Sequence, residues 1–476
     1  MKTFLLNILL AVTIFAQAGG SVGTSDARSV GMAKTYTAAS RGIFSIGHNP
    51  ANLMFSDDNH FEMTTVFPLP NLRLRTGTDF LTIEDYNYFF GGVEQPDGSV
   101  DGRELTIADK DRLKSLFNDG GFFVADFSTS VLSVSYKASD AVGAFALGVE
   151  DIVSFKLNFP EQFIHLALDG NTAGKIYNFN DADMKGWWLR NYSLSYARDL
   201  AEIPQDIFKK ISAGITLKYV QGFSYAGTEH VKSYFETGAN NQLITHGDFL
   251  AYAAFSPDMN VKYDFDSTET DNESSFSPFP TPAGTGFGFD LGLSAQLDEV
   301  WSFGLAVTDI GNITWNKNVA QYSSNQAFYL TDITDDDILD SVKNSFVGEG
   351  QYVNEISTAL PTALRMGVAF ELHKLVASFP GQMLVALDYN QGFNNQPRNS
   401  TKPRFSMGLE WKPMDWIPYI RTGVSVGGRD AFGWAFGLGI DAGFLDFNFA
   451  SPDFHYLLMA NNAKRVALSL DTRWKF

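Results

Sequence analysis

The residues RVALSLDTRWKF, 465–476, divide cleanly at every second position. Val466, Leu468, Leu470, Thr472, Trp474 and Phe476 fall on one side, and Ala467, Ser469, Asp471, Arg473 and Lys475 on the other. A period of two specifies a strand with two unlike faces. The same alternation returns at 432–441, 404–411, 382–389, 363–371, 301–308, 285–297, 211–220, 189–197, 143–149 and 131–137. Each run has about the ten residues that a tilted strand needs to cross a bilayer.

The faces differ in kind. Along 285–297, Phe287, Phe289, Leu291 and Leu293 oppose Gly286, Gly288, Asp290 and Gly292. A soluble sandwich would place Lys, Glu and Thr on its outer face; small residues with isolated charges suit a crowded, water-accessible lumen, with the aromatics toward lipid. The charges expected inside are Asp290, Arg365, Glu371, Asp388, Arg404, Glu410, Asp441 and Asp471. Composition agrees: 42 of the 476 residues are Phe and 14% are aromatic, yet mean hydropathy is slightly below zero, so apolar and polar residues must be interleaved.

The formal charge of −19 argues against nucleic acid, whose phosphates need a basic surface. No cysteine is present, which removes disulfides, thiol nucleophiles and thiolate metal sites. The seven histidines show no H-x-x-x-H spacing and no G-x-S-x-G elbow occurs, so no catalytic residue, metal or cofactor is expected, and the chain does not read as an enzyme. Asp388-Tyr389-Asn390-Gln391-Gly392 resembles part of a calcium loop, but Asn399 stands where the bidentate acid belongs, and a polar loop explains it better. Asp335, Asp336 and Asp337 head an expected short helix, and 109–117 reads as another.

At the N-terminus, Met1-Lys2, an apolar run from Phe4 to Phe15 and Ala16-Gln17-Ala18 form the pattern of a secretory signal cleaved after Ala18. Three regions are expected: a signal at 1–18, an N-terminal plug with a short helix at 19–55, and a barrel at 56–476. Segment 25–53 lacks a sustained period of two and contains Arg28, Lys34, Arg41 and His48, which are costly against hydrocarbon. Its basic groups are expected to meet luminal acids, and His48 to Leu53 to hand the chain to a first strand near Phe61.

Counted back from Phe476, the connections sort by parity: 442, 412–416, 372–381 and 298–300 are mostly short, while 451–463, 427–431, 390–403, 311–362 and 266–284 are mostly long. Short periplasmic turns and long extracellular loops are the outer-membrane pattern. The fold class expected is all-β: a transmembrane antiparallel barrel of fourteen strands, or sixteen if 228–264 supplies another pair. Trp411, Trp416 and Trp301 sit at strand ends, as interfacial aromatics do. A closed barrel must pair its last strand with its first, and Trp474 and Phe476 read as the assembly signal for barrel-assembly machinery.

The letters Gly31, Met32, Tyr36, Thr37, Ala38, Asn49, Pro50, Ala51 and Leu53 resemble the G-M-x-x-x-Y-T-A helix and N-P-A-x-L box of the FadL and PorV group of outer-membrane proteins. Residues 286–315 resemble a PorV-like hairpin, and 388–413 a family of unknown function within that group. The resemblance implies a luminal plug, with Gly31, Met32, Tyr36, His48, Asn49, Pro50 and Asn52 as plug and gating residues. It implies passive movement of a small hydrophobic or amphipathic molecule across the outer membrane of a Gram-negative-type bacterium. The aromatic segments 249–255 and 454–459 are expected to supply the apolar pocket. The rival expectation is a PorV-like barrel that transports nothing and holds or shuttles a secretion-system protein. Expected partners are therefore outer-membrane lipid, the assembly machinery, and either a hydrophobic ligand or a secreted protein.

Overall fold

Alternating apolar and small residues do form strands, and the strands close on themselves. The computed structural model describes residues 26–55, 60–117, 120–180, 182–200, 208–238, 242–263, 265, 277–330 and 349–476. The expected signal at 1–18 and the helix headed by Asp335 lie outside these residues. The wall has fourteen antiparallel strands. We number them β1 (two pieces, Phe61–Thr65 and Asn71–Thr78), β2 (Gly121–Ser139), β3 (Gly143–Phe159), β4 (Asp183–Asp199), β5 (Lys210–Val231), β6 (Gly284–Gln296) and β7 (Trp301–Trp315). The series continues with β8 (Ala363–Glu371), β9 (Gln382–Gly392), β10 (Arg404–Lys412), β11 (Tyr419–Gly427), β12 (Phe432–Asp441), β13 (Leu445–Ser451) and β14 (Arg465–Lys475).

Each strand pairs with its neighbour in sequence, and β14 closes on β1 through Met63↔Trp474 and Leu72↔Leu470. Phe476 completes the seam: its N–H donates to the Phe61 carbonyl at 2.9 Å and its carbonyl accepts from Phe61 at 3.2 Å. The pairing closes the wall and leaves neither β1 nor β14 as an open edge along these residues.

The two faces follow the alternation. On β6, Phe287, Leu291 and Leu293 are exposed outward while Asp290 is fully buried inward. An outward band of Phe, Leu, Tyr and Val around a closed wall is the surface that hydrocarbon requires.

Connections also sort by end. Those at the Phe476 end, 140–142, 200–209, 297–300, 372–381, 413–418 and 442–444, are short. Gly443, at φ 85°, makes the tightest of them, and its N–H donates to Asp441 Oδ1 at 2.8 Å. The opposite end carries long connections with helices α2 (Ile83–Phe90), α3 (Ile107–Ser115) and α4 (Glu161–Asp169). Thr82 and Thr106 start α2 and α3 with reciprocal caps to Asp85 and Asp109. Leu113, Phe89 and Phe117 pack them together.

The count is fourteen rather than sixteen because of β5. Residues 210–222 of β5 pair with β6, but 224–231 pair with a strand at Leu243–Phe255, which pairs in turn with Val319–Leu330. The 228–264 region extends the sheet beyond the wall and adds no crossing strand.

Residues 26–55 lie against the inward face. They form helix α1 (Ala27–Gly31) and two 3-10 turns, Gly42–Ser45 and Pro50–Met54, and nearly all are buried.

Candidate functional site

The interior of the barrel is the part of the molecule where buried charge, close approach and open space meet. Close approach comes first. A Cβ on Gly423 of β11 would sit 2.6 Å from the Met32 carbonyl carbon, and one on Gly408 of β10 would meet the Met32 carbonyl oxygen at 2.6 Å. Only glycine lets the N-terminal backbone come this close to the wall.

Charge fixes the segment in place. The Asp388 carboxylate on β9 accepts from the backbone N–H groups of Tyr36 and Thr37, both at 2.9 Å, and from the Thr37 hydroxyl at 2.7 Å. Glu410 on β10 takes Arg28 of α1 at 2.6 and 2.8 Å and Arg421 of β11 at 2.6 Å. Asp471 on β14 accepts from the Ala27 N–H and, at 2.6 Å, from Asn448. Glu62 of β1 accepts from the Ile43 N–H at 2.6 Å and pairs with Arg473 at 3.1 Å. Arg404 donates to the Ala33 carbonyl at 2.6 Å. Hydrogen bonds to charged groups contribute about 1.5–3 kcal/mol each.

The N-P-A-x-L box is a hydrogen-bond junction. Asn49 caps the turn by accepting from Ala51 N–H at 3.2 Å, and its amide donates to the Thr37 and Leu293 carbonyls and to Ser294 Oγ at 2.9–3.2 Å. Asn52 donates to the Thr37 carbonyl at 2.9 Å and Ser40 Oγ at 2.7 Å, and accepts from Ser294. Pro50 opens the 3-10 turn, against Gly214 of β5. His48 Nε2 lies 3.1 Å from Asp26 and its ring meets Tyr36 edge-on at 5.3 Å. Burial pushes the His48 pKa down, and Asp26 only partly offsets this; burial pushes Tyr36 well up.

Four of the eight expected luminal charges, Asp388, Arg404, Glu410 and Asp471, therefore hold the segment. Asp290 instead pairs with Lys218 at 2.7 Å, and Arg365 with Thr308 and Asn390 at 3.4 and 3.3 Å. Glu371 and Asp441 stand at the Phe476 end, beside His373 at 3.5 Å and Lys475 at 2.7 Å. Of the segment's own basic groups, Arg28 pairs with an expected acid, Glu410. His48 uses Asp26 within the segment, Arg41 donates to the Ala38 and Ser40 carbonyls, and Lys34 is surrounded by arginines. Gly31 sits beneath Gly437, a Cβ there meeting its Cα at 3.2 Å.

Open space lies on both sides of the segment: about 330 Å³ among Arg28, Glu410, Arg421 and Arg473, and a second, more apolar cavity opposite. This second cavity, of about 120 Å³, is bounded by Ile43, Phe44 and Ile46 below and by Ile152, Trp187, Leu189 and Leu360 of the wall and its connections. Above it Trp315 stacks on Tyr225 at 5.4 Å and donates to Thr358 at 2.8 Å, closing an apolar neck with Val220 and Ile313. Lys218 and Arg398 reach the same cavity. The segments 249–255 and 454–459 do not line it. Phe454 packs 4.7 Å from Phe436 and 5.7 Å from Trp434, on the outward face of β12, and 249–255 belongs to the sheet extension.

The cavity also touches a break in the wall. In β1, residues 66–70 leave the ladder and stand opposite the single Val131. Thr64, Asn71, Ser130 and Ser133 flank the break and line the cavity. Asn71 Oδ1 and the Leu69 carbonyl accept from Thr472, at 2.7 and 3.1 Å, so side-chain bonds replace the missing ladder. Sequence reasoning missed Trp187 and Leu189, although both share the inward parity of Asn191, Ser193 and Ser195. It missed the break too, whose signal is Phe67-Pro68-Leu69-Pro70: prolines cannot donate to a ladder.

Among the described residues, no cluster of His, Asp and Glu is arranged to hold a metal. No curated protein sequence matches the chain. Solved structures do. A TodX deltaS2S3 mutant, described as a monoaromatic hydrocarbon channel, aligns at a TM-score of 0.50 and 11% identity, covering 96% of this chain and 100% of that one. The Pseudomonas putida toluene transporter TodX aligns at 0.46 and 11%, covering 97% and 99%, and a Pseudomonas aeruginosa FadL homologue at 0.44 and 11%, covering 96% and 100%. The first of these likenesses shows the fold, which is the one the N-terminal box and the strand pattern implied. A family described as of unknown function, DUF5723, matches residues 57–451, most of the barrel wall, and the chain belongs to that family.

Proposed function

We propose that the protein is an outer-membrane channel through which a small hydrophobic or amphipathic molecule moves passively, with residues 19–55 as its plug. The observation that carries this reading is the cavity between the Ile43–Ile46 turn and Trp187, Leu189 and Leu360, whose exposed lining is mostly apolar. A lumen that served only as a filled support would have no reason to bury aromatics around open space. Polar groups in the lining, Lys218, Arg398, Glu150 and Asp309 among them, suit an amphipathic ligand, since binding sites combine apolar surface with placed polar groups. The break at 66–70, flanked by the cavity-lining Thr64 and Asn71, is the proposed exit from the cavity toward lipid. The fold shared with a monoaromatic hydrocarbon channel supports the reading by analogy. Phe476 then marks the periplasmic end and α2–α4 the extracellular one, and Trp474 and Phe476 serve as the assembly signal.

Equilibrium binding of radiolabelled toluene and octan-1-ol to the barrel in lipid nanodiscs tests this. Saturable binding is expected, weakened about tenfold by Leu189→Asn, equivalent to about 1.4 kcal/mol. Failure of the unaltered protein to bind either ligand above empty nanodiscs would overturn it in favour of the protein-carrier reading.

A further inference from the structure

Another, smaller cavity, of about 50 Å³, lies on the charged side of the segment, between Ala33-Lys34 and strands β1, β10 and β11. Its lining carries six basic side chains, Lys34, Arg73, Arg75, Arg398, Arg404 and Arg429, against three carboxylates, Asp126, Asp430 and Asp453. Those carboxylates are engaged by Arg75, Arg465 and Ser154, and Asp453 also lies 3.7 Å from Arg75. Asp430 takes Arg75 at 2.5 Å and Arg465 at 3.5 Å; Asp453 takes Arg465 at 3.2 Å; Asp126 accepts from the Ser154 hydroxyl.

Arg73 is left out of this pairing. It is 3% exposed, and its Nε and Nη1 have no hydrogen-bond partner. Arg404 Nη1 is in the same condition, although its Nη2 holds the Ala33 carbonyl. A buried guanidinium with unused donors carries a desolvation cost, which the charges of Asp126 and Asp430 nearby partly offset without a hydrogen bond. Two such forks around one small space match an oxyanion, because guanidinium donors bind pairs of oxygens in parallel. Size and lining narrow the ligand. The space exceeds the roughly 10–15 Å³ that one water needs. Apart from Ala33 and Pro452, the lining is glycine and polar side chains, so no surface would receive a hydrocarbon chain.

We propose that this cavity binds a small tetrahedral oxyanion of the phosphate or sulfate class, held by Arg73 and Arg404 beside Lys34. The bound anion bridges wall and segment, since Lys34 and the Arg404 contact at Ala33 belong to the segment. Burial among Arg73, Arg398, Arg404 and Arg365 holds the Lys34 pKa well below the ordinary lysine value, and an anion in the cavity would relieve it. The site is independent of the channel reading: neither needs the other.

The test uses the full chain in a zwitterionic detergent, with thermal unfolding followed at fixed ionic strength as inorganic phosphate replaces chloride. A saturable rise in Tm is expected with phosphate and with sulfate. Arg73→Gln and Arg404→Gln should each weaken the response at least about tenfold, the loss of a charge-assisted pair, whereas Arg112→Gln, in the distant α3, should leave it unchanged. An equal rise with chloride or acetate, or a full response in Arg73→Gln, would overturn the proposal. Should Arg73→Gln fail to fold, equilibrium dialysis of radiolabelled phosphate against the unaltered protein decides: a site displaced by sulfate supports the proposal, and its absence overturns it. Displacement by carboxylates that strengthens with chain length would also overturn it, since the cavity would then belong to the head of an amphipathic ligand.

Discussion

The two halves of the barrel interior are built on one alternating pattern and end up chemically opposed. On the β10–β14 side, inward positions carry Glu410, Arg421, Asn448 and Asp471, linked into a network that grips α1, and Arg473, which pairs with the Glu62 that holds Ile43. On the β3–β5 side, inward positions near the long-loop end carry Ile152, Trp187, Leu189, Val220 and Tyr225, and the space beside them is open. The difference teaches that alternation decides which residues face the lumen, while their chemistry decides what they do there: charge pairs grip the segment, even beside a cavity of about 330 Å³, and apolar side chains line a space of about 120 Å³. Charge pairs hold a segment because each is costly to leave unpaired in a buried site; apolar side chains set a shape and make no such demand.

The comparison breaks most strongly at Glu410. Glu410→Ala strands Arg28 and Arg421 and should cost about 3–5 kcal/mol, read by urea unfolding in lipid vesicles, and should free the segment to trypsin at Arg28, Lys34 and Arg41. Leu189→Asn, on the apolar side, should alter ligand binding while leaving those sites protected. If both variants expose the segment equally, the division of labour between the halves is wrong.

Next in size is the glycine wall. Gly423→Val forces side-chain atoms into the Met32 carbonyl and should cost about 1–3 kcal/mol as overpacking. Enhanced tryptic cleavage of the segment, with the heat-modifiable barrel intact, is the expected result; an unchanged digestion rate would show that the segment does not depend on this approach.

The smallest effect expected is on pH. His48 faces Asp26, Tyr36, Lys34 and Arg365, and its folded pKa lies below the ordinary value near 6.5. The unfolded or released segment therefore binds more protons, so the contribution of His48 is fully present above about pH 6.5 and is lost as pH falls toward the folded value. Asp26, also shifted down by His48 and Ser29 against the effect of burial, adds a loss only below its ordinary carboxylate range. Hydrogen exchange of residues 26–55 should quicken between pH 7 and pH 5 beyond the intrinsic rate, and His48→Asn should flatten that dependence.

Much of the wall was legible because its signal is local. Phe287, Phe289 and Leu291 opposite Gly288, Asp290 and Gly292 announce a two-faced strand without any tertiary information, and connection lengths orient the set. The close contact of the N-terminal box with the wall was legible only in outline: the resemblance carried by Gly31, Tyr36 and Asn49 implied a place inside, but not that Asp388 would receive two backbone N–H groups. The cavity was not legible, since Trp187, Trp315 and Leu360 are distant in sequence and meet only once the sheet closes. The sixteen-strand alternative arose from the same limit. Leu243–Phe255 has the length of a crossing strand, and the switch of partner along β5 assigns it to the extension.

The central claim is that the N-terminal segment closes a passage the wall would otherwise leave open. Single-channel recording in planar bilayers, on a barrel lacking residues 26–47 and shown to be folded by heat modifiability, tests it directly. A rise from near-zero conductance to a steady open level is the predicted result; a folded deletion mutant that stays closed would contradict it.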